Sequence, residues 1–414
     1  MNRDILDVVN TPGYVTLIEG DPGAGKTSLA LASCERKGSC TYISYAEPES
    51  SLKKKFKLFF PEHDSEIKVI SMLSGNPSAA FSEAEQGLER GELVIVDSLD
   101  AMFYGIKDDS EIRPFLQLVY GSAKQKSGSL ALISEGMNPV AKQVRFVSDA
   151  IISIEYEEIL GKTARRVRLL KDRDYKISNA NYYLTMENGF NLIKPIITDV
   201  FVKPKNVKPI IGPPEISLKL IIPRAYRILT IMNPSVHFEI AKTIRQWVAT
   251  DFLKAGYGVN LVISPLSSET SEREAIESMG GDIEMLNIIS LSDPEIRHDV
   301  NKYFMAFKEH LKTGKYVNIV DLLSDESIAM NDPSGYEFFI SSMAELDKRF
   351  NMPAVLYGYR DYISSRTVSK YVQMEWSVDM VNGILFYLTQ KPDGPLYYID
   401  ADFKEGRAEF RKMI

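Results

Sequence analysis

Eight consecutive residues, Gly20-Asp21-Pro22-Gly23-Ala24-Gly25-Lys26-Thr27, could cradle a chain of phosphates. Gly20, Gly23 and Gly25 let the backbone curl until successive N–H groups converge on anionic oxygens, and a following helix adds the positive end of its dipole. The flanks supply the context: Tyr14–Ile18 is an apolar, β-branched run and Ser28–Ser33 reads as a helix, so strand, loop and helix follow in the required order. In that setting Lys26 reaches the β- and γ-phosphates, and the Thr27 hydroxyl holds Mg²⁺. The expected nucleotide-binding set is therefore Gly20 through Ser28, with ATP and Mg²⁺ as ligands.

Hydrolysis needs an acid beside the metal and a group that positions water. The apolar run Leu93–Val96 ends in Asp97, whose carboxylate is expected across the sheet end from Thr27, holding Mg²⁺ through water; Ser98 and Asp100 are secondary candidates. Glu47 follows the run Cys40–Tyr45 and should lie at the same carboxyl edge, where open α/β sheets bind ligands. It is the expected water-positioning group. Glu49, beyond Pro48, is the alternative, and both could instead be exposed loop acids. Ser134 and Glu135 end the run from Ser129 and could sense the γ-phosphate from the same rim.

The elements that must position these residues alternate. Strands are expected at Tyr14–Ile18, Cys40–Tyr45, Lys68–Met72, Leu93–Asp97, Ser129–Ser134, Ala150–Tyr156 and Arg166–Leu170, with helices between them, the pattern of a parallel sheet covered on both faces. Residues 1–194 form the expected first domain. From 195 to 223 prolines interleave with Lys203, Lys205 and Lys208, which reads as an extended linker. Residues 224–414 resume the alternation and overlay the first half as a weak repeat. Arg227–Met232 with Asn233-Pro234 matches the strand before Asp21-Pro22, Val317–Asp321 matches Val94–Asp97, Ala354–Gly358 matches Ala131–Glu135, and Ser377–Asp379 matches Val147–Asp149. At the loop itself Ser235, His237, Phe238 and Glu239 replace Gly23, Gly25, Lys26 and Thr27, so this copy should not bind a nucleotide in the same way. His237 then reads as a helix-end residue, and His63, His298 and His310 as structural.

The order of loop, Glu47, Asp97-Ser98, Ser134-Glu135, Phe146-Val-Ser-Asp149 and Leu169-Leu-Lys171-Asp-Arg173 resembles the RecA-superfamily ATPases of the KaiC and RadA branch, over roughly residues 10–195. The resemblance implies a RecA-like nucleotide-hydrolase fold in the first domain and a degenerate RecA-like α/β domain in the second. It also implies that Lys171 and Arg173 reach the γ-phosphate of a neighbouring subunit, where their charge would assist phosphoryl transfer. A homo-oligomer is implied with them, a hexameric ring being one form. As the alternative, Arg165, Arg166, Arg168, Lys171 and Arg173 coat an exposed strand and turn. The tandem layout with one intact loop is similar to the archaeal gas-vesicle regulator D family. Two features depart from the pattern: Ala46 stands where such domains carry a first glutamate, implying slow hydrolysis, and the degraded second loop argues against self-phosphorylation there.

Composition narrows the partners. The 414 residues carry a net charge of −7, which argues against a surface built to grip nucleic acid. The segment from Gly136 to Arg145 is short and bears only Lys142 and Arg145, weakening a RadA-like DNA-dependent reading. Tyr357, Tyr359, Tyr362 and Tyr371 beside Arg360, Arg366 and Lys370 suit either a protein interface or ordinary packing. No apolar run approaches ~20 residues and the N-terminus lacks a cleavage pattern, so a cytoplasmic protein without a membrane span is expected. Cys34 and Cys40 read as a pair of thiols. The expected function is a slow, regulatory Mg-ATP hydrolase whose nucleotide state controls self-association or partner binding, with a non-hydrolysing switch as a further alternative.

Overall fold

The computed structural model describes residues 3–62, 67–72, 77–104, 109–135, 139–177, 180–187, 189–195, 225–291, 293–402 and 407–413. The chain divides into two compact units that meet in sequence between Pro195 and Ile196. Each is α/β, built on one nine-stranded mixed sheet. Apart from Pro195, the expected linker lies outside the described residues, as does His63.

In the first unit the strands are β1 (Val15–Gly20), β2 (Cys40–Ser44), β3 (Lys68–Ser71), β4 (Leu93–Asp97), β5 (Ser129–Ser134), β6 (Ala150–Ile159), β7 (Lys162–Asp172), β8 (Asn181–Thr185) and β9 (Asn191–Ile193). They lie in the order β3-β2-β4-β5-β1-β6-β7-β8-β9. The parallel strands β2, β4 and β5 are buried along their whole length, as expected where helices cover both faces of a sheet. Side-chain alternation splits them between two cores: Ile18, Tyr42, Ile95 and Ile133 pack on one face with Leu29 and Leu31 of the helix Lys26–Lys37, while Leu17, Ile43, Val96 and Leu132 pack on the other with Leu88 and Val144.

Beyond β6 the sheet turns antiparallel. Leu160 and Gly161, both at positive φ, form the two-residue turn that joins β6 to β7. The hairpin therefore extends well past the expected Tyr156 and Arg166. Residues Pro139–Val147 are helical, so the stretch read as a loop after Glu135 is mostly helix. Cys34 and Cys40 are not free thiols but a disulfide. Gly38, at φ 79°, ends the helix in the left-handed conformation and turns the chain straight into β2, bringing the two Cα atoms to 5.3 Å.

The second unit contains β10 (Arg227–Met232), β11 (Gly258–Ile263), β12 (Leu286–Ser290), β13 (Tyr316–Asp321), β14 (Ala354–Tyr359), β15 (Met374–Val381), β16 (Ile384–Lys391), β17 (Leu396–Asp402) and β18 (Arg407–Lys412). Their order, β12-β11-β13-β14-β10-β15-β16-β17-β18, repeats that of the first sheet strand for strand. Register sharpens the repeat. Val15 pairs with Leu130 and Arg227 with Ala354, so Ala354 corresponds to Leu130, one residue from the expected match. The larger correction concerns Asp149. Its carboxylate accepts the Val15 N–H at 2.9 Å, and the same service to the Arg227 N–H is done by the Gln373 side chain at 2.8 Å. Gln373, not Asp379, is therefore its counterpart. Tyr357 is buried in the core of this unit, in keeping with ordinary packing.

Behind β13 lies a cavity of about 20 Å³, enough for one water, lined among others by Arg227, Tyr303, Asn318, Asp325 and Asp347. Asp325 is buried and accepts hydrogen bonds from Tyr303, Ser324 and Tyr336. Burial pushes its carboxyl up to about 6, against those three donors. A folded-state value raised from 3.8 to about 6 means stability present below about pH 4 is lost as pH rises through about 6. The loss should be roughly 3 kcal/mol. Asp325→Asn should abolish that fall, which denaturant titrations between pH 4 and pH 7.5 would detect; an unchanged slope would contradict the assignment.

Candidate functional site

At the carboxyl end of β1 the chain enters the Gly20–Thr27 loop. Gly20 has φ 153°, and a Cβ there would stand 2.2 Å from the Ile154 carbonyl oxygen, so only glycine fits against β6. Gly25, at φ 110°, starts the helix Lys26–Lys37 without a side-chain cap, leaving its first N–H groups directed at the loop. Asp21, Pro22 and Gly23 are exposed, Ala24 and Ser28 are buried, and Lys26 and Thr27 are half-buried. The Lys26 ammonium folds back onto the carbonyl oxygens of Gly20 and Asp21, at 2.7 and 2.9 Å. Burial lowers its pKa, opposed by the charges of Glu135, Asp97, Asp100 and Asp21.

Thr27 and Asp97 come together, the hydroxyl donating to the carboxylate at 3.0 Å. Asp97 also accepts a hydrogen bond from the buried Tyr42 hydroxyl. Burial pushes the Asp97 carboxyl up, resisted by those two donors and raised further by the charge of Glu47. Tyr42 was missed in the sequence because nothing local marks it. It meets Asp97 only through the pairing of β2 with β4.

Glu47 lies just past β2, tied down by its own main chain: its N–H donates to Ser44 Oγ at 2.9 Å, and that hydroxyl donates back to its carbonyl. The carboxylate accepts from Ser51 at 2.7 Å and from Lys55 at 2.5 Å. Burial raises its pKa, but Lys55 and Ser51 outweigh burial and hold it below the usual carboxylate range. Glu49 is exposed and paired with Lys53 one helical turn on. Glu135 is exposed, and its backbone N–H donates to Asp100 at 2.8 Å, which ties the ends of β4 and β5 together. Ser98 caps the short helix that contains Asp100.

Side chains from the antiparallel extension approach the loop. The positions a Cβ would take on Gly23 and Gly25 lie 3.2 Å from the Tyr156 hydroxyl, 3.4 Å from Met186 and 3.7 Å from Arg165 Cδ. Lys171 and Arg173 are elsewhere. Arg173 is level with Val15, five residues up the sheet from Gly20, or about 17 Å at strand rise. The Lys171 amine donates to the carbonyls of Arg145 and Ser148, closing the end of the helix Pro139–Val147. Arg145 pairs with Glu19 at 2.7 Å and is not an unengaged basic side chain.

In the second unit the equivalent loop is rebuilt. One feature persists, the turn bond from Ala24 N–H to Asp21 O, which recurs from Val236 N–H to Asn233 O. His237 takes the place of Gly25 but with φ −60° and ψ 143°, and its ring accepts the Glu239 N–H at 3.3 Å, capping the helix Phe238–Lys254 from within. Ser235 is bonded to Asp379 and to the Met380 N–H. Asp321, the counterpart of Asp97, is fully buried against the Arg245 guanidinium, which also pairs with Glu272 at 2.9 Å. A cation of the chain itself thus sits on this acid.

Among the described residues no group of three His, Cys, Asp or Glu side chains is placed to hold a metal, and no helix is long and apolar enough to cross a membrane. No protein-family model matches the chain, and the search of curated proteins finds no relative.

Proposed function

We propose that the first unit is a RecA-like nucleotide site of the KaiC and RadA type, holding one Mg-ATP per chain and hydrolysing it slowly, and that the second unit is a degenerate copy without such a site. The reading rests on one observation above all: Thr27 and Asp97 lie 3.0 Å apart beside the glycine-shaped loop and Lys26. Mg²⁺ is held in such sites by one or two protein oxygens plus phosphates rather than by a protein cage, so this pair suits it. When bound, the ion neutralises charge on the β- and γ-oxygens. Loop N–H groups and Lys26 bind and orient the phosphates, while Tyr42 fixes the Asp97 carboxylate.

Glu47 is the water-positioning group. Because Lys55 and Ser51 keep it ionised, it is a weak proton acceptor that orients water more than it deprotonates it, which supports slow turnover. Glu47→Gln should lower phosphate release by about 100-fold with nucleotide affinity almost unchanged. Unchanged release would remove Glu47 from this role, and a parent without turnover at any concentration would make the protein a nucleotide-binding switch.

Lys171 and Arg173 point away from their own loop, so their action on a triphosphate is on that of a second copy. Nucleotide state then controls self-association and, through it, the binding of a protein partner. Turnover rising steeply with protein concentration, and lost in Arg173→Ala, is the expected sign.

A further inference from the structure

Asp149 is fully buried at the amino edge of the first sheet, where its backbone N–H and carboxylate close the β1–β6 pairing at Val15. Two cations converge on it. Lys124 lies 2.8 Å from Oδ2 and Arg173 lies 3.2 Å from Oδ1, and both side chains are more than a third exposed. Among the described residues Oδ1 receives no aligned hydrogen bond, whereas the directed bond of the Arg173 guanidinium goes to the Tyr120 hydroxyl at 2.8 Å. Arg173 is therefore held by charge and one phenol, and the half-buried Tyr120 hydroxyl can bond water when the guanidinium leaves. Lys124, set between the rings of Tyr14 and Tyr120, remains to neutralise the buried carboxylate.

The second unit provides an internal control. Gln373 gives Arg227 the backbone hydrogen bond that Asp149 gives Val15, so a neutral side chain suffices for the fold at this position. The negative charge of Asp149 is thus surplus to strand pairing. It occurs in the unit that keeps the glycine loop and not in the unit that has lost it.

We propose that Asp149, Lys124 and Tyr120 are positioning residues that hold Arg173 as a releasable latch, freed when it engages the triphosphate bound by a second copy of the chain. This rests on the nucleotide reading above. In the resting chain Asp149 competes with the neighbour's phosphates for Arg173, and Lys124 weakens that hold by sharing the carboxylate.

The test is self-association of the full chain, measured by sedimentation with Mg²⁺ and a non-hydrolysable ATP analogue. Asp149→Asn should tighten association by about fivefold and Lys124→Met should weaken it by about the same factor. Both effects should vanish in an Arg173→Ala background. A merely structural role would shift the two variants in the same direction, or would leave the shifts intact without Arg173, and either result overturns the latch while leaving the nucleotide site standing. Should the parent bind the analogue and stay monomeric, the latch fails. A parent that binds no analogue defeats the nucleotide reading and the latch with it.

Discussion

Arg245→Met is expected to destabilise the second unit by about 3–5 kcal/mol, the usual cost of leaving buried charges without their partner. Arg245 is fully buried, bonded to Asp321 and Glu272, and the latter is held in turn by Gln246 at 2.8 Å. Burial disfavours the charged guanidinium, but the two carboxylates outweigh it and keep the pKa raised. Removing the cation would strand both acids among Tyr359 and the core of the Phe238–Lys254 helix. Native-state hydrogen exchange should show lost protection in β11 and β13, with β1, β4 and β5 unaffected. Neutralising the acids together with the arginine, as Arg245→Met with Asp321→Asn and Glu272→Gln, should recover most of the loss; failure to recover would mean that the arginine acts by packing instead.

Lys26→Ala is expected to weaken binding of Mg-ATP by at least about 100-fold, since charge-assisted hydrogen bonds to phosphate contribute roughly 1.5–3 kcal/mol each. Among the described residues the ammonium bonds the carbonyls of Gly20 and Asp21, within its own loop. The substitution should therefore leave stability nearly unchanged. Titration with a fluorescent ATP analogue, alongside a thermal melt, separates the two effects. Binding that survives the substitution would move the nucleotide away from this loop.

The two predictions are linked by the repeat. Asp97 and Asp321 end corresponding strands, yet one faces a threonine hydroxyl and the other a guanidinium. The first arrangement is the one proposed above to hold Mg²⁺ together with its nucleotide. In the second, the chain supplies its own cation and caps its own helix with His237. The backbone differs with it: His237 has φ −60° where the corresponding Gly25 has φ 110°.

Much of this was legible in the sequence where the cause is local. β4 and β5 run over the expected residues, because a continuous apolar run bounded by polar residues has one way to be buried in a parallel sheet. The loss of glycines and lysine in the second loop could likewise be read directly. The antiparallel extensions were not recognised, although Asn382-Gly383, joining β15 to β16, is a strong two-residue hairpin signal. The Ser377–Asp379 match fails because it compares letters, whereas the duty the two units share is a side-chain hydrogen bond to the first residue of the central strand, carried by Asp149 in one and Gln373 in the other. Tyr42 on Asp97, Arg245 on Asp321 and Lys124 on Asp149 join residues 55, 76 and 25 positions apart. Such pairs follow from strand order and from the packing of helices on the sheet, which no local pattern reveals.

The most direct measurement is the stoichiometry of a non-hydrolysable ATP analogue binding to the full chain with Mg²⁺, read by isothermal titration. One molecule per chain, and none after Lys26→Ala, is predicted. No binding to the parent, two molecules per chain, or one molecule retained by the Lys26 variant would contradict the account.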